Sequence, residues 1–418
     1  MKQPASPGHA VSCGEGQRVC RPAFKSQPHA QAGAARDVEA LRLDIVSTRV
    51  GFEALAGDWT DLHARAGTSA QVFQAYGWCH HWVRSFVDES GGGGSLAILT
   101  GRIDGRLVML WPLVLRRVAG LKELSWLGEP VSQYGDVLME PGPDQARQLD
   151  AGFRYIVDVL RPSLFRLNKT RTDANIAPLL AKLGARETQR LEAPYLDFTT
   201  APDWQSYETR YGSKALKNRR RQFRRLEEAG PVAVTHHNAG SEAQRLACEA
   251  IRLKRAWLSE KGLISPALAD DGTLRFFESI TGDPAQSESV RVSHLTAGGR
   301  TAAISVSFAC KERLAVHLIV YASAFEKAAA GALLLERSMK AAHEEGIKVY
   351  DMLAPGGGYK TEWADASAQV VDFCVPLTAA GYGYGWLYLE VLRPKLKDAA
   401  FALEGAKRRF RRTRTPAT

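Results

Sequence analysis

Residues 328–364 read AAAGALLLERSMKAAHEEGIKVYDMLAPGGGYKTEWA, and this stretch decides the fold class. Its apolar residues recur at helical spacing, which predicts a helix over residues 331–345. Gly346 follows directly, as expected of a residue that ends a helix in the left-handed conformation. Residues 347–353 form a short apolar run that is typical of a buried strand. Because helix and strand patterns alternate in this way along the chain, we predict an α/β fold with mixed α+β sheets.

The glycine-rich end of this stretch resembles a nucleotide-binding loop only in part. Lys360 and Thr361 imitate the last two residues of a P-loop, but Tyr359 occupies the preceding position, which requires glycine. We therefore exclude an NTPase site. We expect instead a flexible turn that places Tyr359, Lys360 and Trp363 at the mouth of a site. The alternative is a structural turn that carries an exposed lysine.

Two predicted β-hairpins have similar sequences. The first covers residues 96–116 and turns at Asp104-Gly105, and the second covers residues 290–310 and turns at Gly298-Gly299. Each consists of a strand, a glycine turn, an arginine and a second strand, inside a mixed helix and strand unit. This similarity suggests an internal duplication. Coincidence is the alternative, because glycine turns are common in hairpins.

The order of elements predicts four segments. Residues 1–37 form a disordered tail rich in small residues. A first mixed unit covers residues 38–200, and a second covers residues 201–380. A basic helical tail, residues 381–418, follows and contains the run KRRFRRTR.

The composition excludes several classes of protein. No run of eighteen apolar residues predicts a transmembrane helix, and the first thirty residues lack the apolar segment of a signal peptide. The six cysteines are scattered without a CxxC pair, so we expect neither a disulfide framework nor a metal site. A reducing cytoplasm is the simplest compartment. The net charge of +10 favours an anionic partner.

Four stretches, taken in order, carry a family resemblance. They are residues 73–78 (FQAYGW) with Trp82, the run from Trp111-Pro112-Leu113 through Leu127-Gly128 to Tyr134-Gly135-Asp136, the basic helix over residues 213–230, and residues 328–364. Together they resemble the CelD/BioF-like acetyltransferase family, which is related to the FemAB peptidoglycan aminoacyltransferases. The resemblance covers roughly residues 45–378 and implies tandem GNAT-like acyl-CoA N-acyltransferase units. The chain departs from the family where Ala330-Gly331 stands in place of Pro-Gly, which leaves the start of that helix open.

The resemblance implies transfer of an acyl group to an amine or hydroxyl. We expect acyl-CoA as co-substrate, no tightly bound cofactor, and a small molecule, sugar or cell-envelope (exopolysaccharide) precursor as acceptor. An aminoacyl-tRNA-dependent, FemAB-like ligase is one alternative, but the long helical-hairpin insertion of FemAB relatives is missing. A non-catalytic accessory protein of polysaccharide (cellulose) biosynthesis is another. DNA is not an expected partner.

Two pairs of residues are candidates for catalysis. Asp351 lies near the end of a buried strand, where a carboxylate often borders a site, and it could orient an amine or act as general base beside Lys360. Its alternative is a carboxylate bonded to backbone or to Lys360. His317 and Tyr321 are four residues apart in a strand and should face the same side, as base and acid. We favour a core role for His317.

The basic helix SKALKNRRRQFRRLEEAG supplies candidates for binding the phosphates of acyl-CoA. At helical spacing Lys217, Arg221 and Arg224 gather on the side opposite the apolar residues. Such a row could hold phosphates, although a solvated charged face is the equal alternative. The other stretches add Gly331 and Tyr359 as acyl-CoA-binding candidates, and Tyr134, Asp136 and Trp363 as substrate-binding candidates.

The segment from Trp386 onward predicts contact with a membrane surface. It combines the apolar run WLYLEVL with the basic run KRRFRRTR. Apolar side chains can enter a bilayer interface while lysine and arginine meet anionic lipid. We therefore expect peripheral contact with the inner membrane. The favoured alternative is that the aromatic part packs on the second unit, because Pro394 breaks a continuous helix.

Overall fold

The computed structural model of the chain describes residues 41–88 and 94–387. The strands are β1 (Arg42–Val46), β2 (Ser95–Leu96), β3 (Ile98–Ile103), β4 (Arg106–Trp111), β5 (Leu113–Val118), β6 (Leu121–Trp126), β7 (Leu138–Met139), β8 (Leu164–Arg171), β9 (Arg186–Asp197), β10 (Val232–His237), β11 (Val290–Ala297), β12 (Arg300–Cys310), β13 (Arg313–Tyr321), β14 (Val349–Asp351) and β15 (Ala366–Pro376). The α-helices are α1 (Arg49–Ala54), α2 (Ala56–Ala66), α3 (Tyr76–Trp82), α4 (Gln145–Leu160), α5 (Ala177–Lys182), α6 (Trp204–Glu208), α7 (Ser213–Glu227), α8 (Ser241–Lys261), α9 (Pro266–Ala269), α10 (Asp271–Gly282), α11 (Ala330–Glu344), α12 (Tyr359–Trp363) and α13 (Ala379–Gly383).

The strands form one small and one large sheet. The small sheet has the order β1-β3-β4-β7, and the large sheet has the order β10-β11-β12-β13-β14-β9-β15-β8-β6-β5-β2. Pro112, which has no backbone N–H to donate, separates β4 from β5 and marks the point where the chain passes from one sheet to the other. Both sheets mix with helices along the chain, so the predicted mixed α/β fold is confirmed.

The centre of the large sheet positions the candidate site. Strand β14 pairs with β13 in parallel over only three residues, from Arg313↔Val349 to Ala315↔Asp351. On its other side β14 pairs with β9, and β15 lies between β9 and β8. The large sheet is therefore continuous through strands from both predicted units, and β13 runs beyond its pairing with β14 toward the start of α11.

The core lies on both faces of this sheet. On one face α8 and α10 pack against β12 and β13 around a fully buried aromatic group that includes Trp78, Phe276 and Phe308. On the other face α11 contributes Leu333, Leu334 and Met339. Apolar burial on both faces explains why β12 and β13 lack an exposed polar side.

The structure confirms both hairpins and corrects several other predictions. In each hairpin the two turn residues have positive φ, as a two-residue turn requires. Between α8 and β11 the chain forms α9 and α10, and the Asp270 side chain caps α10. The predicted turn ends at Gly358, because residues 359–363 form α12. Strand β15 was not predicted.

Two predictions fall largely or wholly outside the described residues. The disordered tail over residues 1–37 is one, and the basic tail beyond Leu387 is the other. Within the described ranges no helix is long and apolar enough to cross a membrane.

Candidate active site

The carboxylate of Asp351 joins three parts of the chain. It is buried at the end of β14 and accepts hydrogen bonds from the Tyr134 hydroxyl, at 2.9 Å and 3.0 Å to its two oxygens. Arg313 Nη1 lies 2.7 Å from Oδ2, and the backbone N–H of Leu353 donates to Oδ1 at 2.9 Å. The charge of Asp351 is therefore balanced by a buried arginine. The hydrogen bonds from the Tyr134 hydroxyl bring together the predicted residues Tyr134 and Asp351, which are 217 positions apart.

Tyr134 serves this cluster as a proton donor. Burial, and next the Asp351 charge, raise the pKa of the Tyr134 hydroxyl well above its ordinary value. The hydroxyl therefore stays protonated and keeps donating to the carboxylate. The guanidinium of Arg171 lies over the Tyr134 ring, 5.2 Å from its centroid, which holds the ring in place.

Lys360 lies in α12 and turns back toward the end of β14. Its Nζ donates to the carbonyl oxygens of Leu353 and Pro355, both at 3.1 Å. Burial lowers the pKa of Lys360 to about 8. The negative charge of Asp351 opposes this shift, and the positive charge of Lys254 adds to it. Lys360 is therefore within electrostatic reach of both groups, and it can exchange a proton near neutral pH.

His317 and Tyr321 face opposite sides of β13, which corrects the prediction that they share one side. Val306 pairs with Leu318 while Ser307 pairs with Val316, so His317 is an extra residue in a β-bulge and the alternation shifts. The ring of His317 lies among aromatic rings, and its Nε2 is 2.6 Å from the Val131 carbonyl oxygen. Burial lowers the pKa of His317 to about 4. His317 is thus a neutral core residue in this structure.

A cavity of about 380 Å³ lies where β13 ends and α11 begins. Its lining includes Tyr321 and Gly331, with Lys254 and Trp257 from α8. Lys254 Nζ lies over the Trp257 ring at 4.2 Å, and Trp257 Nε1 donates to the Tyr321 hydroxyl at 3.3 Å. The first N–H groups of a helix have no partner within it, and Ala329, which precedes α11, offers no side-chain cap. This helix start thus suits an anion.

The three candidate cations of α7 do not line the cavity that contains Gly331, although Arg225 of the same helix lies 3.5 Å from the Lys327 carbonyl oxygen, just before α11. Lys217 and Arg221 are exposed, and Arg224 lines a separate groove of about 570 Å³ between α7 and α11. The buried cation of this helix is Arg219, which lies over the Trp363 ring at 3.7 Å and over the Tyr211 ring at 4.3 Å. Trp363 is accordingly buried under α7. Tyr359 begins α12, next to Lys360.

Asp136 lines a third cavity, of about 190 Å³, together with Tyr134. Its carboxylate accepts from Gln71 Nε2 and from the backbone N–H groups of Val137, Asn175 and Ile176. Burial raises the pKa of Asp136 to about 6, against the effect of these donors. Asp136 therefore holds the cavity wall together.

Several residues of these cavities were not candidates in the sequence. Arg313 follows a turn at the start of β13, Arg171 ends β8, and Lys254 lies in a long polar helix. No motif distinguishes them from surface cations. Within residues 41–88 and 94–387 no group of histidine, cysteine or acidic residues could hold a metal ion.

Comparison with known proteins identifies the type of fold. A family model described as an acetyltransferase (GNAT) domain matches residues 213–361. No curated protein sequence matches the chain significantly. The solved structure of FemX is similar, with a TM-score of 0.51 and 10% identity over 83% of this chain and 100% of FemX. A conserved protein of unknown function from Bacteroides thetaiotaomicron VPI-5482 has a TM-score of 0.50 and 11% identity, over 80% of this chain and 100% of its own.

A third solved structure is a tandem GNAT protein from the clavulanic acid biosynthesis pathway. It has a TM-score of 0.45 and 12% identity, over 81% of this chain and 98% of its own. Residues 213–361 therefore match an acetyltransferase (GNAT) domain model, and the fold of the chain is similar to that of FemX.

Proposed function

We propose that the protein transfers an acyl group from acyl-CoA to an amine or hydroxyl of a small-molecule, sugar or envelope precursor. The observation that supports this most directly is a row of charged groups between two cavities. Lys254 lines the cavity at the start of α11, Asp351 contacts the wall of the Tyr134 cavity, and Lys360 lies within electrostatic reach of both. In this proposal the donor binds on the Lys254 side, the acceptor binds on the Asp351 side, and Lys360 is the titratable group between them.

The donor side is the start of α11. Phosphate groups of CoA would accept from the first N–H groups of this helix, and Lys254 would add a positive charge. Gly331 keeps the cavity open at this point, because a Cβ there would lie only 3.1 Å from Tyr321 Cδ1. Trp257 and Tyr321 offer apolar surface to the rest of the donor.

The chemistry needs no covalent enzyme intermediate. The acceptor nitrogen or oxygen attacks the thioester carbonyl carbon, the new bond to carbon forms, and the carbon–sulfur bond breaks. The CoA thiolate takes one proton, and a protonated amine acceptor must lose a further proton. Lys360, with a pKa of about 8, is suited to accept that proton in its neutral form. Asp351 positions Tyr134 and Arg313 rather than taking the proton, because donors already occupy both its oxygens.

One observation favours a second candidate, an aminoacyl-tRNA-dependent ligase. Helix α7 exposes a row of cations that have no carboxylate partner in the described part of the chain: Lys214, Lys217, Arg220, Arg221, Arg224 and Arg225. Such a row suits a phosphate backbone. Because Arg225 lies beside the segment that leads into α11, the row does not by itself distinguish tRNA from acyl-CoA. A non-catalytic role in polysaccharide synthesis is the remaining alternative.

The test is release of CoA thiol from acetyl-CoA in the presence of a mixture of amines and amino sugars. We expect acceptor-dependent release, and we expect Lys360→Met to lower it about 100-fold. Lys348→Met is the control, because Lys348 lies on the surface in a pair with Glu312. Equal rates for the wild type and Lys360→Met would remove Lys360 from the mechanism. Transfer from charged tRNA but not from acetyl-CoA would favour the ligase.

A further inference from the structure

Helix α7 presents an exposed basic face. Every charged residue from Lys214 to Arg225 is a lysine or an arginine, and the first carboxylates are Glu227 and Glu228 at the C-terminal end. At about 100° per residue the exposed cations occupy an arc of about 140°, over about 16 Å of helix. The exposed members are Lys214, Lys217, Arg220, Arg221, Arg224 and Arg225.

Exposed arginines on other helices of the chain have carboxylate partners one turn away. Arg245 of α8 pairs with Glu242 and Glu249, and Arg147 of α4 pairs with Asp144. Such pairs balance the charge of a solvated helix face. The exposed cations of α7 have no such partner in the described part of the chain, and like charges one turn apart repel each other. An anionic surface that covers this face would relieve the repulsion.

The apolar side of α7 is already occupied. Leu226 is fully buried, and Phe223 packs beside it against Leu333 at the start of α11. A helix that inserts into a bilayer interface needs its apolar side free. Helix α7 can therefore supply charge to a partner surface, but it cannot supply an apolar anchor.

Two exposed aliphatic side chains can supply that anchor. Leu263 and Ile264 lie in the loop between α8 and α9 and are 42% and 55% exposed. Adjacent aliphatic side chains leave water when they enter the boundary between lipid headgroups and acyl chains. Each CH₂ group that is buried in this way strengthens binding about fourfold.

This loop and the basic face flank the same segment of the chain, Ser323–Ala328. Lys261, the last residue of α8, pairs with Glu326 at 3.3 Å. Arg225 Nη1 lies 3.5 Å from the Lys327 carbonyl oxygen. Cations and aliphatic side chains are therefore available to one partner on this side of the molecule.

The combination favours lipid over nucleic acid. Proteins hold single-stranded nucleic acid through aromatic side chains on which bases stack, and aliphatic side chains add nothing to phosphate contacts. All 15 residues of α7 are described, and its one aromatic side chain, Phe223, faces α11 rather than solvent. A membrane with anionic lipid offers phosphates to the cations and an acyl boundary to Leu263 and Ile264.

We propose that the basic face of α7, together with Leu263 and Ile264, docks on a membrane that contains anionic phospholipid. The cations contact lipid phosphates, and the two aliphatic side chains enter the acyl boundary. Each cation near such a surface strengthens binding about fivefold, so three of them contribute about a hundredfold. The proposal does not rest on acyl transfer.

Cosedimentation of the full chain with vesicles tests the charged part. The vesicles are phosphatidylcholine alone or phosphatidylcholine mixed with phosphatidylglycerol, at about 0.1 M and about 1 M salt. We expect binding to the mixed vesicles only. The triple variant Lys214→Gln, Lys217→Gln and Arg221→Gln should bind about a hundredfold more weakly, with less dependence on salt.

The matched control removes the same charge elsewhere. Arg147→Gln, Arg154→Gln and Lys182→Gln change three exposed cations of α4 and α5, so both triple variants lose three positive charges from a net charge of +10. We expect the control to bind mixed vesicles like the wild type. Equal loss in the control would assign binding to net charge and overturn the proposal.

A second variant tests the apolar part. Leu263→Ser with Ile264→Ser should weaken binding about tenfold or more and keep its salt dependence. Val50→Ser with Val159→Ser, which changes two exposed apolar residues of α1 and α4, should have no effect. Circular dichroism confirms that each variant is folded.

Three results would overturn the assignment. The first is the absence of wild-type binding to mixed vesicles, or equal binding to neutral ones. The second is unchanged binding by the α7 variant or by the loop variant, which would assign docking to other residues, such as those from Trp386 onward. The third is displacement from the vesicles by a tRNA mixture at equal phosphate concentration, which would assign the basic face to RNA.

Discussion

Replacing Asp351 with asparagine tests the most heavily bonded group of the site. The carboxylate is 1% exposed and is bonded by Tyr134, Arg313 and the Leu353 N–H. An asparagine can direct its oxygen to only one side of this cluster. If the oxygen faces Leu353 and Tyr134, the amide N–H₂ group opposes the guanidinium of Arg313, and a buried positive charge loses its partner.

The expected loss is therefore that of a broken buried ion pair, about 3–5 kcal/mol in the free energy of unfolding. Tyr134→Phe removes a single hydrogen bond to the same charge and should cost about 1.5–3 kcal/mol. Glu187→Gln is the control, because its partner Arg190 is about half exposed, and it should change the free energy of unfolding by less than about 1 kcal/mol.

Urea denaturation followed by circular dichroism and by tryptophan fluorescence measures these differences. Coincident curves from the two signals justify a two-state treatment. The double variant Asp351→Asn with Arg313→Met should recover part of the loss, because it removes the unpaired charge. A single Asp351→Asn variant within about 1 kcal/mol of the wild type, with normal spectra, would refute the view that this ion pair holds β13, β14 and the Tyr134 loop together.

Three further predictions concern pH, catalysis and the membrane. The pKa of His317 is about 4 in the fold and about 6.5 when unfolded. Its contribution to the free energy of unfolding is therefore complete above about pH 6.5 and is lost as the pH falls toward about 4, a difference of about 3 kcal/mol. Urea midpoints at about pH 8 and about pH 4.5 should show this difference, and His317→Phe should reduce it. The rate of acetyl transfer should rise through pH 8 as Lys360 loses its proton, and Lys360→Met should abolish that rise in a pH–rate profile. Three apolar side chains near the end of the described chain are each about half exposed: Tyr382, Trp386 and Leu387. Full-length protein should therefore float with anionic but not with neutral vesicles, and a variant with serine at these three positions should float less. Equal flotation of the variant would assign any membrane binding to other residues.

The sequence predicts local structure well where a single residue type dictates the backbone. The two hairpins were predictable because Asp104-Gly105 and Gly298-Gly299 adopt positive φ. The C-terminal end of helix α8 was predictable, since Gly262 adopts the left-handed conformation after an amphipathic run. Helix α10 could have been found from Asp270, which caps it, and from the helical spacing of Phe276 and Ile280.

Contacts between distant segments were not predictable in this way. Strand β15 has no clear alternation, and it is a strand because β8 and β9 supply partners on both sides. The bulge at His317 reverses the facing of the residues around it, which periodicity alone does not reveal.

The candidate site was predictable only residue by residue. Asp351, Lys360 and Tyr134 were expected near a site opening, and the structure places them around one carboxylate and its neighbouring lysine. Lys217, Arg221 and Arg224 of α7 do not line the cavity at Gly331, and Arg224 lines the groove between α7 and α11 instead. Arg313 and Arg171 could be recognised only from the structure, through the ion pair of Arg313 with Asp351 and the position of Arg171 over the Tyr134 ring.

Calorimetric titration with acetyl-CoA tests the central claim most directly. The account predicts binding in the millimolar range or tighter. Gly331→Leu should weaken that binding at least tenfold, because the new side chain fills the cavity at the start of α11. Gly57→Leu, a matched substitution in α2 with open space around it, should leave it unchanged. No heat from acetyl-CoA with folded wild-type protein, or equal binding by Gly331→Leu, would contradict the claim that this cavity holds the acyl donor.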